Sequence, residues 1–406
     1  MRALALLRRN PDFRRFYLAN LISSGGDWFA LIPLLALLHR LTGTGLYGGL
    51  VLTADTLVFA LLSPYAGTLA DRVDRKRIVV VAEVVSVGFV LLLLLVDAST
   101  PWLGVVGIGG VAAAKAFAQP AGGAATPNLV PPEDLALATV MNGIAWGSML
   151  AVGAALGGLL SAAAGTSVCF LVDAASFVLS ALLVQRCRTS FQATRVEREH
   201  PGFRVAIGEA YRYARADRVV LALLTAKPGI AFANGALVLF PLLATDVFGV
   251  GEGGLGLMYA ARGLGVLLGP LALGSGGRER ANPFIVLAVG SASCGLLYLG
   301  VSVTPWFALA LLLITLAHLG GGSNYAVTTY GLQRRVPDQV RGRILSADAM
   351  IVTFAIAVNQ AVAGALSDVV PTRPLVAGFA GASVAYAAVW FVATRSLRNA
   401  PVESGV

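Results

Sequence analysis

Nine ionisable side chains stand inside apolar stretches of this chain: Asp27, Asp55, Glu83, Lys115, Asp173, Lys227, Arg262, His318 and Asp348. A charge at the centre of a bilayer costs at least ~2.5–3.5 kcal/mol, so such residues face a cavity or a partner. A carboxyl group in low dielectric holds its proton more tightly, and a nearby ammonium loosens it again. An acid of that kind can alternate between a protonated and an ion-paired state, which is the chemistry of proton coupling. Asp27, Asp55 and Asp173 are the candidate acids. Asp27 follows Ser23, Ser24, Gly25 and Gly26, small residues that let a helix or a ligand come close. Lys115, with Gln119 one turn on, is the expected partner of Asp27, either as a switching pair or as a permanent structural one. Lys227 and Asn234 share a helical face, His318 titrates near neutrality when unperturbed, and Gln360 forms a polar stripe with Thr353. Arg262 is expected to neutralise Asp55 or another acid. Glu83 is expected to snorkel towards the basic loop nearby.

The elements that must hold these residues are membrane spans. The chain has 406 residues, of which 57% are hydrophobic and 13% charged. Its mean hydropathy is +0.78. Soluble domains carry roughly 25% charged residues, so lipid must be the solvent for much of this surface. A helix crossing about 30 Å of hydrocarbon needs about 20 apolar residues. Twelve stretches qualify: 16–38, 46–66, 78–96, 102–122, 136–160, 167–185, 219–243, 254–274, 283–302, 305–326, 345–366 and 375–394. Alternation with period two is absent, which argues against a membrane β-barrel. Trp102, Trp306 and Trp390 lie near span ends and read as interface anchors, while Trp28, Phe29, Trp146 and Tyr325 could line a cavity. The expected fold class is an all-α integral membrane protein.

Cys169, Cys187 and Cys294 are too widely spaced for a disulfide framework or a metal motif. No metal and no cofactor are expected, and no phosphate-cradling G-x-x-x-x-G-K-[ST] is present, so neither an enzyme nor an ATP-driven pump is indicated. The basic N-terminus lacks a small-residue cleavage site, so a retained first helix is expected. With both termini in the cytoplasm, most of the 30 Lys and Arg fall in inner loops. That is the positive-inside pattern. It reads the net charge of +9 as topology and lipid contact, with no nucleic-acid partner. The address is a cell membrane, crossed many times.

The longest hydrophilic segment lies near the middle. It divides the chain into an N-terminal six-helix half (1–187), a cytoplasmic linker (188–218) and a C-terminal six-helix half (219–406). An amphipathic surface helix is expected from Phe203 to Ala216. The halves match at a constant offset: Pro64 with Pro270, Arg72 with Arg278, and Val130-Pro131 with Val336-Pro337. This supports a duplication, with a site between the halves near the midplane.

The loop after the second span reads Gly67-Thr68-Leu69-Ala70-Asp71-Arg72-Val73-Asp74-Arg75-Lys76-Arg77. It resembles the signature G-x-L-x-D-R-x-G-R-K/R of the major facilitator superfamily, with Asp74 where the family has glycine, a substitution tolerable in a left-handed turn. Further stretches resemble the macrolide-efflux and enterobactin-exporter branch: Asn10-Pro11-Asp12-Phe13-Arg14, Gly26-Asp27-Trp28, Pro120, Asn128-Leu129-Val130-Pro131, and Val336-Pro337-Asp338 with Arg341-Gly342-Arg343. Gly153, Gly157 and Gly158 partly match an antiporter motif whose proline is replaced by Ala154. The resemblance implies twelve helices in two pseudo-symmetric halves and alternating access. It implies gating by Gly67, Asp71, Arg72, Arg75 and Lys76, with Arg341 and Asp348 at the inner gate. It implies that the first, fourth, seventh and tenth helices line the cavity, carrying Asp27, Lys115, Lys227 and His318. The expected function is proton-coupled export of a hydrophobic or amphiphilic small molecule, such as a drug, a macrolide-like antibiotic or a siderophore, by a monomer. A lipid flippase and a non-transporting sensor or scaffold are the alternatives.

Overall fold

The computed structural model describes residues 2–192, 203–272 and 282–398, and every regular element among them is helical. In chain order the helices are α1 (Arg2–Arg9), α2 (Pro11–Thr42), α3 (Leu46–Arg72), α4 (Arg75–Leu92), α5 (Trp102–Leu129), α6 (Leu135–Ala164), α7 (Thr166–Gln185), α8 (Phe203–Ala216), α9 (Arg218–Leu224), α10 (Pro228–Asn234), α11 (Phe240–Leu242), α12 (Gly251–Ala272), α13 (Pro283–Val303), α14 (Phe307–Arg335), α15 (Asp338–Leu366) and α16 (Thr372–Ala393). Eleven candidate spans among the described residues are long and apolar enough to cross a membrane. The expected span 254–274 falls on α12, which is not one of them. Its end lies outside the described residues, so the stretch is seen only in part.

The polarity of the bundle identifies its solvent. On α4, Glu83 and Ser86 are buried while Val81, Val84 and Val85 are exposed. On α7, Asp173, Ser176 and Ser180 are buried while Leu171, Val172, Val178 and Leu179 are exposed. A water-soluble helix turns its polar stripe outward. Here the outside is greasier than the inside, as lipid requires.

The chain divides into two compact units, Met1–Glu197 with Gly249–Ala260, and Arg198–Phe248 with Ala261–Val406. In the first unit, α2 packs on α6 and α7, α3 on α5, and α4 on α5 and α7. The motif glycines of α6 are approach points. A methyl group on Gly157 would lie 2.9 Å from the Trp28 carbonyl oxygen, and one on Gly158 would lie 2.7 Å from the Gly256 Cα. These residues are glycine because no side chain fits. Asn10 caps α2 by accepting from the Phe13 amide at 2.9 Å, and α2 ends at Gly43 in a left-handed conformation (φ 69°). The interior of this unit is filled by Phe13, Phe16, Ile78, Met141 and Phe191, with Phe16 and Phe191 edge to face at 5.5 Å.

Two expectations are corrected here. Asp74 is not in a left-handed turn (φ −56°). It is the N-cap of α4, accepting from the amides of Lys76 and Arg77 at 2.8 and 3.2 Å. That gives a reason for aspartate at this place. Trp390 is not an interface anchor but a buried core residue of the second unit.

What Trp390 does there explains the seventh expected span, which is broken. Pro228 has no amide hydrogen, so the helix is interrupted between α9 and α10 and carbonyls lose their partners. One face of α16 supplies replacements. The Trp390 indole donates to the Ala222 carbonyl at 3.2 Å, the Tyr386 hydroxyl to the Thr225 carbonyl at 2.8 Å, and the Ser383 hydroxyl to the Gly229 carbonyl at 2.7 Å. Three carbonyls around the break are thereby supplied with donors, and Lys227 sits at it.

Candidate functional site

In the first unit, Asp27 on α2 is ion-paired with Lys115 on α5. Asp27 Oδ1 has no hydrogen-bond partner, so the carboxylate engages through one oxygen. Lys115 Nζ also lies 5.6 Å from the centre of the Phe177 ring. Asp173 on α7 is 1% exposed, accepts from the Ser176 hydroxyl at 3.2 Å, and is within electrostatic reach of Lys115. Gly26 makes this closeness possible: a methyl group there would lie 2.4 Å from Asp173 Oδ1. The lysine is thus paired with one carboxyl and within electrostatic reach of a second, contributed by different helices.

A third acid completes the cluster. Glu83 does not snorkel to the loop. It is buried, and its two oxygens accept from the hydroxyls of Ser180 at 3.0 Å and Ser23 at 3.2 Å. The described residues give it no ion pair, and the Asp173 charge is felt at it. Asp27 and Asp173 thus lie near the one ammonium, and Glu83 lies within reach of Asp173. Ionising all three acids beside a single lysine would leave excess negative charge in an apolar setting, at a cost. The sequence signal for Glu83 was its place in an apolar run. Its hydroxyl partners lie 60 and 97 residues away and leave no local pattern.

The second unit holds a counterpart. Lys227 is ion-paired with Asp348 on α15, and both are buried. Lys227 Nζ sits 4.8 Å over the Tyr325 ring on α14. On the same helix, His318 shares a 2.8 Å hydrogen bond with the Tyr298 hydroxyl. Asn234 donates to its own turn, to the Ile230 carbonyl at 3.0 Å. Gln360 is buried on α15, Asp55 is half-buried on α3, and Gln119 is exposed on α5. The structure therefore gathers Asp27, Lys115 and Asp173 in one unit and Lys227, Asp348 and His318 in the other, with Asp348 held by Lys227.

The gating candidates lie on helix ends. Arg75 donates to the Ala124 carbonyl at 2.8 Å and Lys76 to the Cys187 carbonyl at 2.8 Å, tying the start of α4 to α5 and to the chain after α7. Arg341 donates to the Val336 carbonyl at 3.1 Å, and Arg72 is exposed. Gly67 and Asp71 lie in α3, and the Asp71 side chain is outside the described ones. Beside them the remaining motif residues interlock. Asp12 accepts from the amides of Arg188 and Thr189 at 3.0 and 2.8 Å, Asn10 donates to the Leu129 carbonyl at 2.7 Å, Asn128 donates to the Phe191 carbonyl at 3.0 Å, and Arg9 pairs with Asp134. Cys187 is packed under this lattice, where burial and the Asp12 charge push its thiol up to about 11.

The profile of a family described as transmembrane secretion effectors matches residues 2–403. Macrolide efflux protein A of Streptococcus pyogenes is 23% identical over 338 residues, covering 80% of this chain and 82% of that one. The enterobactin exporter EntS of Salmonella typhi is 28% identical over 364 residues, covering 84% and 82%. Among solved structures, a bacterial homologue of the human lysosomal transporter Spinster superposes with a TM-score of 0.71 at 15% identity, covering 95% of this chain and 98% of that one. An auto-inhibited peptide transporter of the POT family superposes with a TM-score of 0.76 at 12% identity, covering 98% of each chain. At these identities the superpositions speak to the fold.

Proposed function

Because the chain belongs to the transmembrane secretion effector family of the major facilitator superfamily, we propose that it is a proton-coupled exporter of a hydrophobic or amphiphilic small molecule. The names of its relatives point to antibiotics and siderophores as the substrate range. The observation that carries the coupling is Lys115, paired with half-buried Asp27 and within electrostatic reach of the buried Asp173 in the first unit. Protonation of Asp27 from outside the cell neutralises its carboxylate and frees the ammonium, which then turns to Asp173. Deprotonation towards the cytoplasm restores the original pair. Each exchange keeps one ion pair intact, so the lysine never stands alone in low dielectric. The membrane orientation is both termini in the cytoplasm, supported by the concentration of Lys and Arg in the loops that this places inside.

The test is efflux of fluorescent dyes and antibiotics from a pump-deficient bacterium, with and without a protonophore, beside Asp27→Asn and Asp173→Asn. Protonophore-sensitive efflux that falls roughly tenfold or more in Asp27→Asn is the expected result, a change of about 1.4 kcal/mol in the barrier. Efflux indifferent to the protonophore would remove proton coupling. Full activity in Asp27→Asn would remove Asp27 from it.

A further inference from the structure

We propose that Arg262 is the anion-binding residue of the C-terminal unit, and that the exported molecule is therefore an amphiphile carrying a carboxylate or a like pair of anionic oxygens. This rests on the exporter reading and narrows its substrate.

Arg262 lies within an apolar helix, in the stretch of α12 that belongs to the second unit. Its guanidinium offers five N–H donors and cannot shed its charge. The described residues give it neither a hydrogen bond nor an ion pair, and its Nε is sealed from solvent without a partner. Among the described residues no acid forms an ion pair with it. Asp348, a carboxylate whose charge reaches the same tyrosine as Arg262, is engaged by Lys227. Arg262, Lys227 and Asp348 thus leave an excess positive charge in a bundle of apolar helices.

The arginine is also rigidly placed. Gly265 and Gly269 follow it on the same face of α12 and press directly on α14. A methyl group on Gly265 would lie 2.2 Å from the Thr315 carbonyl oxygen, and one on Gly269 would lie 2.4 Å from that of Leu319. In return, one on Gly322 of α14 would lie 2.5 Å from the Val266 carbonyl. The contact sets Arg262 beside His318 and Tyr325, both of which feel its charge. His318 is satisfied by Tyr298. Tyr325 keeps 40% of its surface free, an aromatic face next to an uncommitted guanidinium. A planar fork of donors that must meet a charge, with an aromatic wall beside it, fits a carboxylate on an apolar body.

The probes are dansylglycine, its neutral amide and the cationic dansyl-ethylenediamine, titrated by fluorescence onto the purified full chain. The acid is expected to bind at least roughly tenfold tighter than the other two, with Arg262→Gln abolishing that preference and Arg262→Lys, a charge without the fork, retaining part of it. Should Arg262→Gln not give a monodisperse protein, the loss in Arg262→Lys decides. Equal binding of the three probes, a preference unchanged in Arg262→Gln, or no binding of the acid at millimolar concentration would each overturn the proposal. Proton-driven efflux blind to substrate charge overturns the anion site and leaves the exporter reading intact. Selective binding of the acid without efflux does the reverse.

Discussion

Lys227 and Asp348 show what a buried pair demands of its neighbours. Removing one partner leaves the other as an uncompensated charge, which costs about 3–5 kcal/mol, whereas replacing both by apolar groups of similar size is close to neutral. Lys227→Met or Asp348→Leu alone should therefore lower the thermal midpoint sharply, and the double variant should recover most of the loss. A double-mutant cycle on the purified protein measures this, and additive losses would show that the pair carries no coupling. Glu83 poses a different problem, since its partners are hydroxyls. Glu83→Gln keeps an acceptor for one of them, whereas Glu83→Ala strands both Ser23 and Ser180. The alanine variant should be the less stable, by about 1–3 kcal/mol, in a direct comparison of unfolding temperatures. The thiol of Cys187, raised to about 11 by burial and by Asp12, is almost wholly protonated at pH 8. Its alkylation in the folded protein should be slow and should rise about tenfold per pH unit up to that value. Rapid alkylation at pH 8 would show that the lattice around Asp12 opens readily.

At the scale of elements, glycines separate into two kinds. Gly265 meets backbone when a methyl group is added, whereas Gly342 and Gly378 meet nothing within 4 Å. Gly265→Ala should destabilise by about 1–3 kcal/mol through overpacking. Gly378→Ala, in open space within a helix, should be neutral or stabilising by up to about 1 kcal/mol. The comparison needs only melting curves. The sequence showed that both were glycines in apolar runs and could not say which faced a neighbour. The same limit governed the broken helix. The span 219–243 was expected unbroken, and the donors beside its break, Ser383, Tyr386 and Trp390, lie 154 to 168 residues from the carbonyls they reach. Trp390 near a span end reads as an anchor on local evidence alone. Asp74 failed the same way, since a capping role depends on where the next helix starts.

For the whole molecule, composition and charge were enough to place the chain in lipid and to list the ionised groups inside it, because hydrophobic length and buried charge are properties of single segments. Which groups meet was legible for Asp27 and Lys115, expected as partners and found paired, but not for the others. Lys227 finds Asp348 across 121 residues, while the Arg262 Nε has no partner among the described residues, and neither fact has a local signature. The orientation proposed from the arginines predicts the behaviour of fusions. Alkaline phosphatase at the C-terminus should be inactive and a fluorescent protein there should be bright. The opposite pattern would invert the assignment of every loop.

Glu83 carries a consequence for biogenesis. Its two hydroxyl partners are made at different times: Ser23 precedes it, and Ser180 follows 97 residues later. At synthesis rates of roughly 5–20 residues per second, the second arrives about 5–20 s after Glu83 leaves the ribosome. Through that interval α4 enters lipid with one of the two hydroxyl partners of its acid still missing. The membrane insertion machinery must shelter this helix until α7 follows, and a cell short of that help should lose the protein before it is ever assembled.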